Sequence, residues 1–165
     1  MSQRGSTGKA MKSPEQDPAF DLWVLLQQTK DAVYNARDKE LSKYSISPRE
    51  AATLRAITLI GPKATQAMLA RWVYRKPQTV LGILRRMQKK GLLKLTKDPD
   101  IINIVRITLT PKGKATYASA RKRESLHTIF DTIDEKTFNQ AKSFLTEIRD
   151  KALAVTGDTI RRPFP

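Results

Sequence analysis

Apolar residues recur at steps of three and four along most of the chain, which is the spacing of amphipathic helices. The most regular segment spans residues 76–90, where Pro77 suits the first helical position and Gly91 provides a left-handed stop. Its apolar face is formed by Val80, Leu81, Ile83, Leu84 and Met87. The opposite face carries Gln78, Thr79, Gly82, Arg86 and Lys89. We therefore expect a helix that packs through one face and leaves the other available for binding.

A short helix is predicted from about Ala64 to Trp72, and a tight turn separates it from this central helix. Two short helices joined in this way, the second basic at its start, are typical of a helix-turn-helix. The apolar period then changes to two, which predicts strands over residues 92–95 and 101–109 with Asp98-Pro99-Asp100 as the turn. A hairpin that follows a helix-turn-helix indicates a winged helix.

Long helices are predicted on both sides of this unit. Ser47 and Glu50 form a capping box that starts a helix ending at Gly61. In the first helix of the chain, Phe20 and Trp23 widen the apolar stripe to two sides. Such a helix packs against its own domain and a partner subunit, or else contributes to a thick core.

The C-terminal part is predicted to form one helix from Thr110 to about Phe130 and a last helix that begins at Asp134. The apolar residues of the last helix are Phe138, Ala141, Leu145, Ile148, Ala152 and Val155. They make a narrow seam, which is better suited to a partner helix than to a broad core.

Positive charge is concentrated on the predicted winged helix. The chain has 31 Lys+Arg against 16 Asp+Glu and a net charge of +15, and no Asp or Glu occurs between Ala51 and Lys97. The basic residues of that stretch are Arg55, Lys63, Arg71, Arg75, Lys76, Arg85, Arg86, Lys89, Lys90, Lys94 and Lys97. A face kept only for solubility normally mixes both signs, so a field of one sign indicates a surface for a polyanion. Nucleic acid is the expected partner.

The predicted fold class is mostly α with a small β-hairpin wing, a winged helix-turn-helix domain flanked by N- and C-terminal dimerisation helices. The predicted parts are a disordered basic tail (1–16), an N-terminal dimerisation helix (17–46), a DNA-binding winged domain (47–110), C-terminal dimerisation helices (111–156) and a tail (157–165).

The composition offers little for other kinds of chemistry. Cysteine is absent, which excludes disulfides and thiol-based peroxide sensing. His127 is the single histidine, so the chain lacks the Cys and His ligands of a typical zinc site. A lone histidine on a helix is more typical of a surface or interface than of a ligand site. We expect no enzyme, no cofactor and no metal. No apolar run approaches the ~18 residues of a membrane span, and the N-terminus lacks the apolar core of a secretory signal, so a cytoplasmic protein is expected.

Two motifs resemble the MarR family of transcriptional regulators. Thr79-Val80 followed by residues 84–92 is similar to the family pattern that ends in Lys-Lys-Gly-Leu, and Leu109-Thr110-Pro111-Lys112-Gly113 resembles its Leu-Thr-x-Lys-Gly. The order of elements also matches, over roughly residues 22–148. The resemblance implies a prokaryotic homodimer with intertwined first and last helices, the central helix in a major groove and the hairpin beside a minor groove. The operator would be pseudo-palindromic double-stranded DNA with half-sites about 34 Å apart.

The wing departs from this family. The family's Asp-x-Arg signature, whose arginine enters the minor groove, corresponds here to Ile101, Ile102 and Asn103, and Leu95 replaces a further arginine. The basic residues expected to reach phosphates instead are Lys94, Lys97 and Arg106. Alternatively, another protein covers the apolar wing, or the wing does not contact DNA.

Individual roles follow from position on the central helix. Gln78 and Thr79 lie in its first turn and are the expected base readers, because glutamine pairs bidentately with adenine; phosphate contact or capping is the alternative. Gly82 lies on the same face. The expected phosphate contacts, which set register and affinity, come from Lys63, Arg75, Lys76, Arg85 and Arg86.

The family also binds small aromatic effectors, which implies a pocket between the dimer helices and the winged domain. The candidate lining residues are Trp23, Tyr34, Trp72 and Tyr117, for which a core position is the alternative. The sequence thus predicts a homodimeric, sequence-specific transcriptional regulator, a repressor relieved by a small molecule. The alternative is a less specific architectural DNA- or RNA-binding protein.

Overall fold

The computed structural model describes residues 17–157, so the predictions for residues 1–16 and 158–165 lie outside it. Its elements are α1 (Pro18–Ser42), α2 (Pro48–Ile60), a 3₁₀ turn (Gly61–Lys63), α3 (Gln66–Trp72), α4 (Pro77–Lys89), β1 (Leu93–Lys97), β2 (Val105–Leu109), α5 (Pro111–Ala120), α6 (Glu124–Phe130) and α7 (Glu135–Thr156). The predicted mostly helical fold with an antiparallel hairpin is confirmed in these residues. Two compact units divide at Asn35 and Ala36, within α1.

The core of the second unit lies beneath the helix-turn-helix and its hairpin. Its largest fully buried side chains are Leu41, Leu54, Leu69, Leu84, Met87, Leu92, Leu93, Ile107 and Val80. They come from α1, α2, α3, α4 and the hairpin, so the elements of the predicted DNA-binding domain are held by a shared core.

The hairpin pairs in register from Leu93 opposite Leu109 to Lys97 opposite Val105. The prediction that the second strand begins at residue 101 is wrong: β2 begins at Val105, because hydrogen bonds within residues 98–104 form a loop. A feature that the sequence did not predict is the segment before α3. The Ile107 amide donates to the Ala64 carbonyl at 3.0 Å, which places this segment beside β2 as a third, very short pairing partner.

The capping box at α2 is confirmed. The Ser47 hydroxyl accepts from the Glu50 amide at 3.3 Å, and the Glu50 carboxylate accepts from the Ser47 amide at 2.9 Å. Glu50 is buried and also accepts from Nζ of Lys90 at 2.8 Å. Lys90, one of the eleven basic residues, is therefore committed to a contact within the chain.

The two family-like motifs contact each other. Thr110 donates through its amide to the Leu92 carbonyl at 3.1 Å and through its hydroxyl to the Gly91 carbonyl at 2.6 Å. A Cβ on Gly113 would lie 1.9 Å from the Leu92 carbonyl oxygen, so only glycine allows this approach of α5 to the hairpin. The motif spacing thus reflects a direct contact between the start of α5 and the chain after α4.

The single helix predicted from Thr110 to Phe130 is wrong, because the chain breaks into α5 and α6 at Arg123, whose φ is +55°. The cap of α6 comes from a distant residue. Glu40 accepts from the amides of Glu124 (3.0 Å) and Ser125 (3.1 Å) and from the Ser125 hydroxyl, and it pairs with Arg37 at 2.5 Å. Local sequence does not show this cap, since Glu40 lies more than 80 residues before the helix it caps.

Candidate nucleic-acid interface

The turn between α3 and α4 is held by its own backbone. The Arg75 amide donates to the Ala70 carbonyl at 3.0 Å, and Tyr74 adopts a positive φ of +49°. Gln66, at the start of α3, donates from its side-chain amide to the Pro77 carbonyl at 2.9 Å. This contact, absent from the sequence prediction, fixes the first turn of α4 against α3.

The two faces of α4 divide as the periodicity predicted. Its buried residues are Val80, Ile83, Leu84 and Met87. Its exposed residues include Gln78, Thr79, Arg85, Arg86 and Lys89. Gly82 is half-buried, and a Cβ there would approach only a terminal nitrogen of Arg86, at 3.8 Å. Packing within the chain therefore does not require glycine at position 82.

The start of α4 is suited to an anion. Lys76 occupies the N-cap position without a side-chain cap hydrogen bond, and Pro77 lacks an N–H group. The first amides of a helix have no partner within the helix, so without a side-chain cap they and the positive end of the helix dipole are left available beside the exposed residues Gln78 and Thr79. A phosphate group is the ligand that such a helix start favours.

Basic side chains from the 3₁₀ turn to β1 are exposed. Within residues 17–157, no acidic side chain forms an ion pair with the predicted phosphate-binding residues Lys63, Arg75, Lys76, Arg85, Arg86, Lys94 and Lys97, nor with Arg71 or Lys89. We call these nine residues the basic face. Their charges are not neutralised by neighbouring carboxylates, so the field they create acts on an approaching ligand.

Arg106 differs from the basic face. Its Nε pairs with the Asp98 carboxylate, and a terminal nitrogen donates to the Lys63 carbonyl at 3.0 Å. These bonds give Arg106 a structural role in the wing and leave fewer of its donors for a phosphate. The sequence pattern predicted only a turn at Asp98, and the partner of this carboxylate, Arg106, lies eight positions later in the chain.

The four aromatic residues proposed for an effector pocket lie in different surroundings. Trp23 is 53% exposed and packs on Phe20 with a 5.5 Å separation of ring centroids, while Tyr34 is half-buried. Trp72 and Tyr117 are partly buried against the core of the second unit. The effector pocket stays a prediction.

His127 is exposed on α6, with its Nδ1 3.2 Å from the Asp131 carboxylate. Among residues 17–157, no cluster of three or more His, Cys, Asp or Glu side chains is placed to hold a metal ion. No helix in that range is long and apolar enough to cross a membrane.

No protein-family model matches the sequence, and no curated relative matches it. Solved structures do. The organohalide-sensing transcriptional regulator RdhR, bound to 2,4-dichlorophenol, is 27% identical over 98% of this chain and 99% of its own, with a TM-score of 0.83. CouR from Rhodococcus jostii RHA1, bound to p-coumaroyl-CoA, is 22% identical over 81% of this chain and 94% of its own, with a TM-score of 0.70. A MarR mutant from E. coli complexed with operator DNA is 15% identical over 81% of this chain and 99% of its own, with a TM-score of 0.74.

The structural neighbours of this chain are MarR-family transcriptional regulators, and the chain has their winged helix-turn-helix fold. The resemblance to MarR-family regulators, predicted from the two sequence motifs, is confirmed at the level of the fold. The neighbours are regulators rather than enzymes.

Proposed function

We propose that the protein is a homodimeric, sequence-specific DNA-binding transcriptional regulator that acts as a repressor in the prokaryotic cytoplasm. The observation that carries this proposal is the basic face, which includes Arg75 and Lys76 beside the uncapped start of α4, with Gln78 and Thr79 exposed in the first turn of that helix. Unpaired cations supply the affinity for phosphates, and short polar side chains on a helix start supply contacts to base edges. Two neighbours of the same fold, MarR and MepR, are complexed with DNA.

Dimerisation is supported by apolar side chains that remain exposed on the first and last helices. On α1 these are Phe20, Trp23 and Leu25, which are 53–57% exposed. On α7 they are Phe138, Phe144, Leu145 and Val155. Burial of such large apolar side chains against a partner lowers the free energy of the assembly. A twofold dimer also presents two α4 helices to one operator.

Relief of repression by a small molecule is supported by the ligands of the neighbours. RdhR is bound to 2,4-dichlorophenol and CouR to p-coumaroyl-CoA, each of which carries a phenyl ring. An aromatic compound is therefore the class of effector to test first against this protein. Such an effector would lower DNA affinity by binding the DNA-free conformation more tightly.

The test is selection of bound sequences from a random duplex pool at physiological salt, with the purified full-length protein. The expected result is an inverted repeat whose half-site centres are about 34 Å apart, bound by a species of twice the chain mass in sedimentation. Binding without sequence enrichment that weakens steeply with salt would instead establish the architectural nucleic-acid binder. The departure of the wing from the family pattern is the observation that favours this second function.

A further inference from the structure

The tip of the wing is a tightly bonded loop over residues 98–104. Asp98 accepts through one carboxylate oxygen from the amides of Asp100 (2.9 Å) and Ile101 (2.8 Å). Its own amide donates to the Ile104 carbonyl at 2.8 Å. The loop is therefore ordered by its own hydrogen bonds, without a partner.

The apex of this loop is a turn that presents isoleucine. The Ile104 amide donates to the Ile101 carbonyl at 3.3 Å, with Ile102 and Asn103 between them. Asn103 has a φ of +67°, which asparagine tolerates better than most residues. Ile102 is 88% exposed and Ile101 50% exposed. The asparagine thus serves the turn, and an aliphatic side chain, that of Ile102, is exposed at its apex.

The loop is fastened to the body of the domain through Arg106, which binds the Asp98 carboxylate and the Lys63 carbonyl. The hydrogen bond from Arg106 is the main reason that the pKa of Asp98 lies below its ordinary value. A tip ordered in this way does not have to lose loop entropy on binding.

We propose that the wing inserts the Ile102 side chain into the minor groove of DNA as an apolar contact. This inference rests on the proposed DNA-binding function and deepens it by naming the contact that the wing makes. Proteins that bind the minor groove use isoleucine among other apolar side chains as wedges against the base steps. Lys94 and Lys97 of β1 are exposed, belong to the basic face and can bind the phosphates that border the groove.

A protein partner fits this tip less well. A stable protein interface needs about 800 Å² on each side, whereas the tip offers Ile102 and Ile101, the neighbouring Val105 and, close by in sequence, the acid Asp100. A narrow apolar tip that follows a strand with exposed cations matches a groove bordered by phosphates better than it matches a broad apolar surface. Asp100 disfavours phosphate contact at the loop itself, so the lysines of β1 carry the electrostatic contact.

The first test compares Ile102→Ala with Lys97→Ala on the DNA that the wild-type protein selects. Because Ile102 is 88% exposed, its truncation leaves the fold intact, which circular dichroism checks. Ile102→Ala should weaken binding roughly tenfold per half-site because less apolar surface is buried, with an unchanged dependence of affinity on salt. Lys97→Ala should reduce the salt slope by about 0.9 for each phosphate that the variant no longer neutralises.

The second test locates the contact in the minor groove. Replacing guanine by inosine beneath the wing removes the 2-amino group from the minor groove and leaves the major-groove edge unchanged. The wild-type protein should bind the inosine duplex several-fold more tightly than the guanine duplex. The Ile102→Ala variant should bind the two duplexes with equal affinity. An equal effect of inosine on both proteins would place Ile102 outside the groove and overturn the proposal.

Two further outcomes overturn it. One is an Ile102→Ala variant that binds the selected DNA as tightly as the wild type. The other is a variant that keeps DNA affinity but loses higher-order self-association in sedimentation, which would make a second copy of the chain the partner of the wing. A failure of the proposed DNA-binding function can be distinguished from these outcomes, because the wild-type protein would then enrich no sequence in the pool selection.

Discussion

Nζ of Lys90 lies 2.8 Å from Oε2 of Glu50 and 2.9 Å from the Ser45 carbonyl, which joins the end of α4 to the first turn of α2. Glu50 is buried, and its other carboxylate oxygen has no hydrogen-bond partner among residues 17–157. Because one oxygen of this buried carboxylate already lacks a hydrogen bond, the stability of the fold depends strongly on the partners of the other oxygen. This pair therefore holds the orientation of α4 relative to α2.

Removing the lysine should destabilise the fold. Lys90→Met leaves the Glu50 charge without its cation, and we expect the free energy of unfolding to fall by about 1–3 kcal/mol in urea titration at pH 7. The control is Lys89→Met, one residue earlier, where the side chain is exposed and belongs to the basic face. It should leave the urea midpoint unchanged and weaken DNA binding. Equal effects of the two variants on stability would contradict the role given to Lys90.

Gly113 and Gly82 are expected to respond oppositely to alanine. Gly113→Ala places a Cβ 1.9 Å from the Leu92 carbonyl oxygen, and relief requires α5 to move away from the hairpin, at a cost of roughly 3 kcal/mol or more. Gly82→Ala meets no such obstacle and should stabilise α4 by about 0.5–1 kcal/mol through helix propensity. Thermal unfolding of both variants checks this, and a Gly113→Ala protein as stable as the wild type would contradict the obstruction by the Leu92 carbonyl.

Acid should weaken the cap of α6. Burial raises the pKa of Glu40, but the hydrogen bonds from Arg37 and Ser125 outweigh it and hold the folded-state pKa at about 2, below the ordinary 4.5. The unfolded chain therefore binds a proton at Glu40 more readily. The stabilisation, on the order of 3 kcal/mol, is fully present above pH 4.5 and is lost as the pH falls towards 2.

Glu40→Gln tests this assignment. The variant should lose stability at pH 7 and show a flatter decline between pH 4.5 and 2 than the wild type in chemical unfolding. Glu147→Gln is the matched control, because Glu147 pairs with Lys151 at an exposed position on α7. Its pH profile should stay much closer to that of the wild type, because solvent screens the exposed ion pair that lowers the pKa of Glu147. A Glu40→Gln profile as steep as the wild-type profile would rule out Glu40 as the source.

Substitutions of Gln78 and Arg86 should affect different properties, the sequence preference and the overall DNA affinity. Gln78→Ala is expected to relax preference at one position of each half-site, with a loss of about 1–3 kcal/mol of discrimination. Arg86→Ala should weaken selected and random DNA alike and lower the salt slope by about one. Repeating the pool selection and salt titration with each variant measures both effects. An unchanged preferred sequence for Gln78→Ala would remove this residue as a base reader.

The sequence by itself determined the features that depend on neighbouring residues. Apolar periodicity located α4 and its buried face, the Ser47–Glu50 box started α2, and alternation predicted the hairpin. These signals are reliable because a helix face, a cap or a strand is specified within a few residues along the chain. Net charge and the absence of cysteine likewise needed no structure.

Tertiary structure decided the roles of residues whose partners are distant in sequence. Lys90 and Arg106 looked like further cations for DNA until Glu50 and Asp98 were seen to bind them. The cap of α6 comes from Glu40, more than 80 residues earlier, so a single long helix was predicted where the chain breaks. A one-dimensional pattern records which groups are charged or apolar, but only the fold determines which of them are already paired and which remain exposed to a ligand.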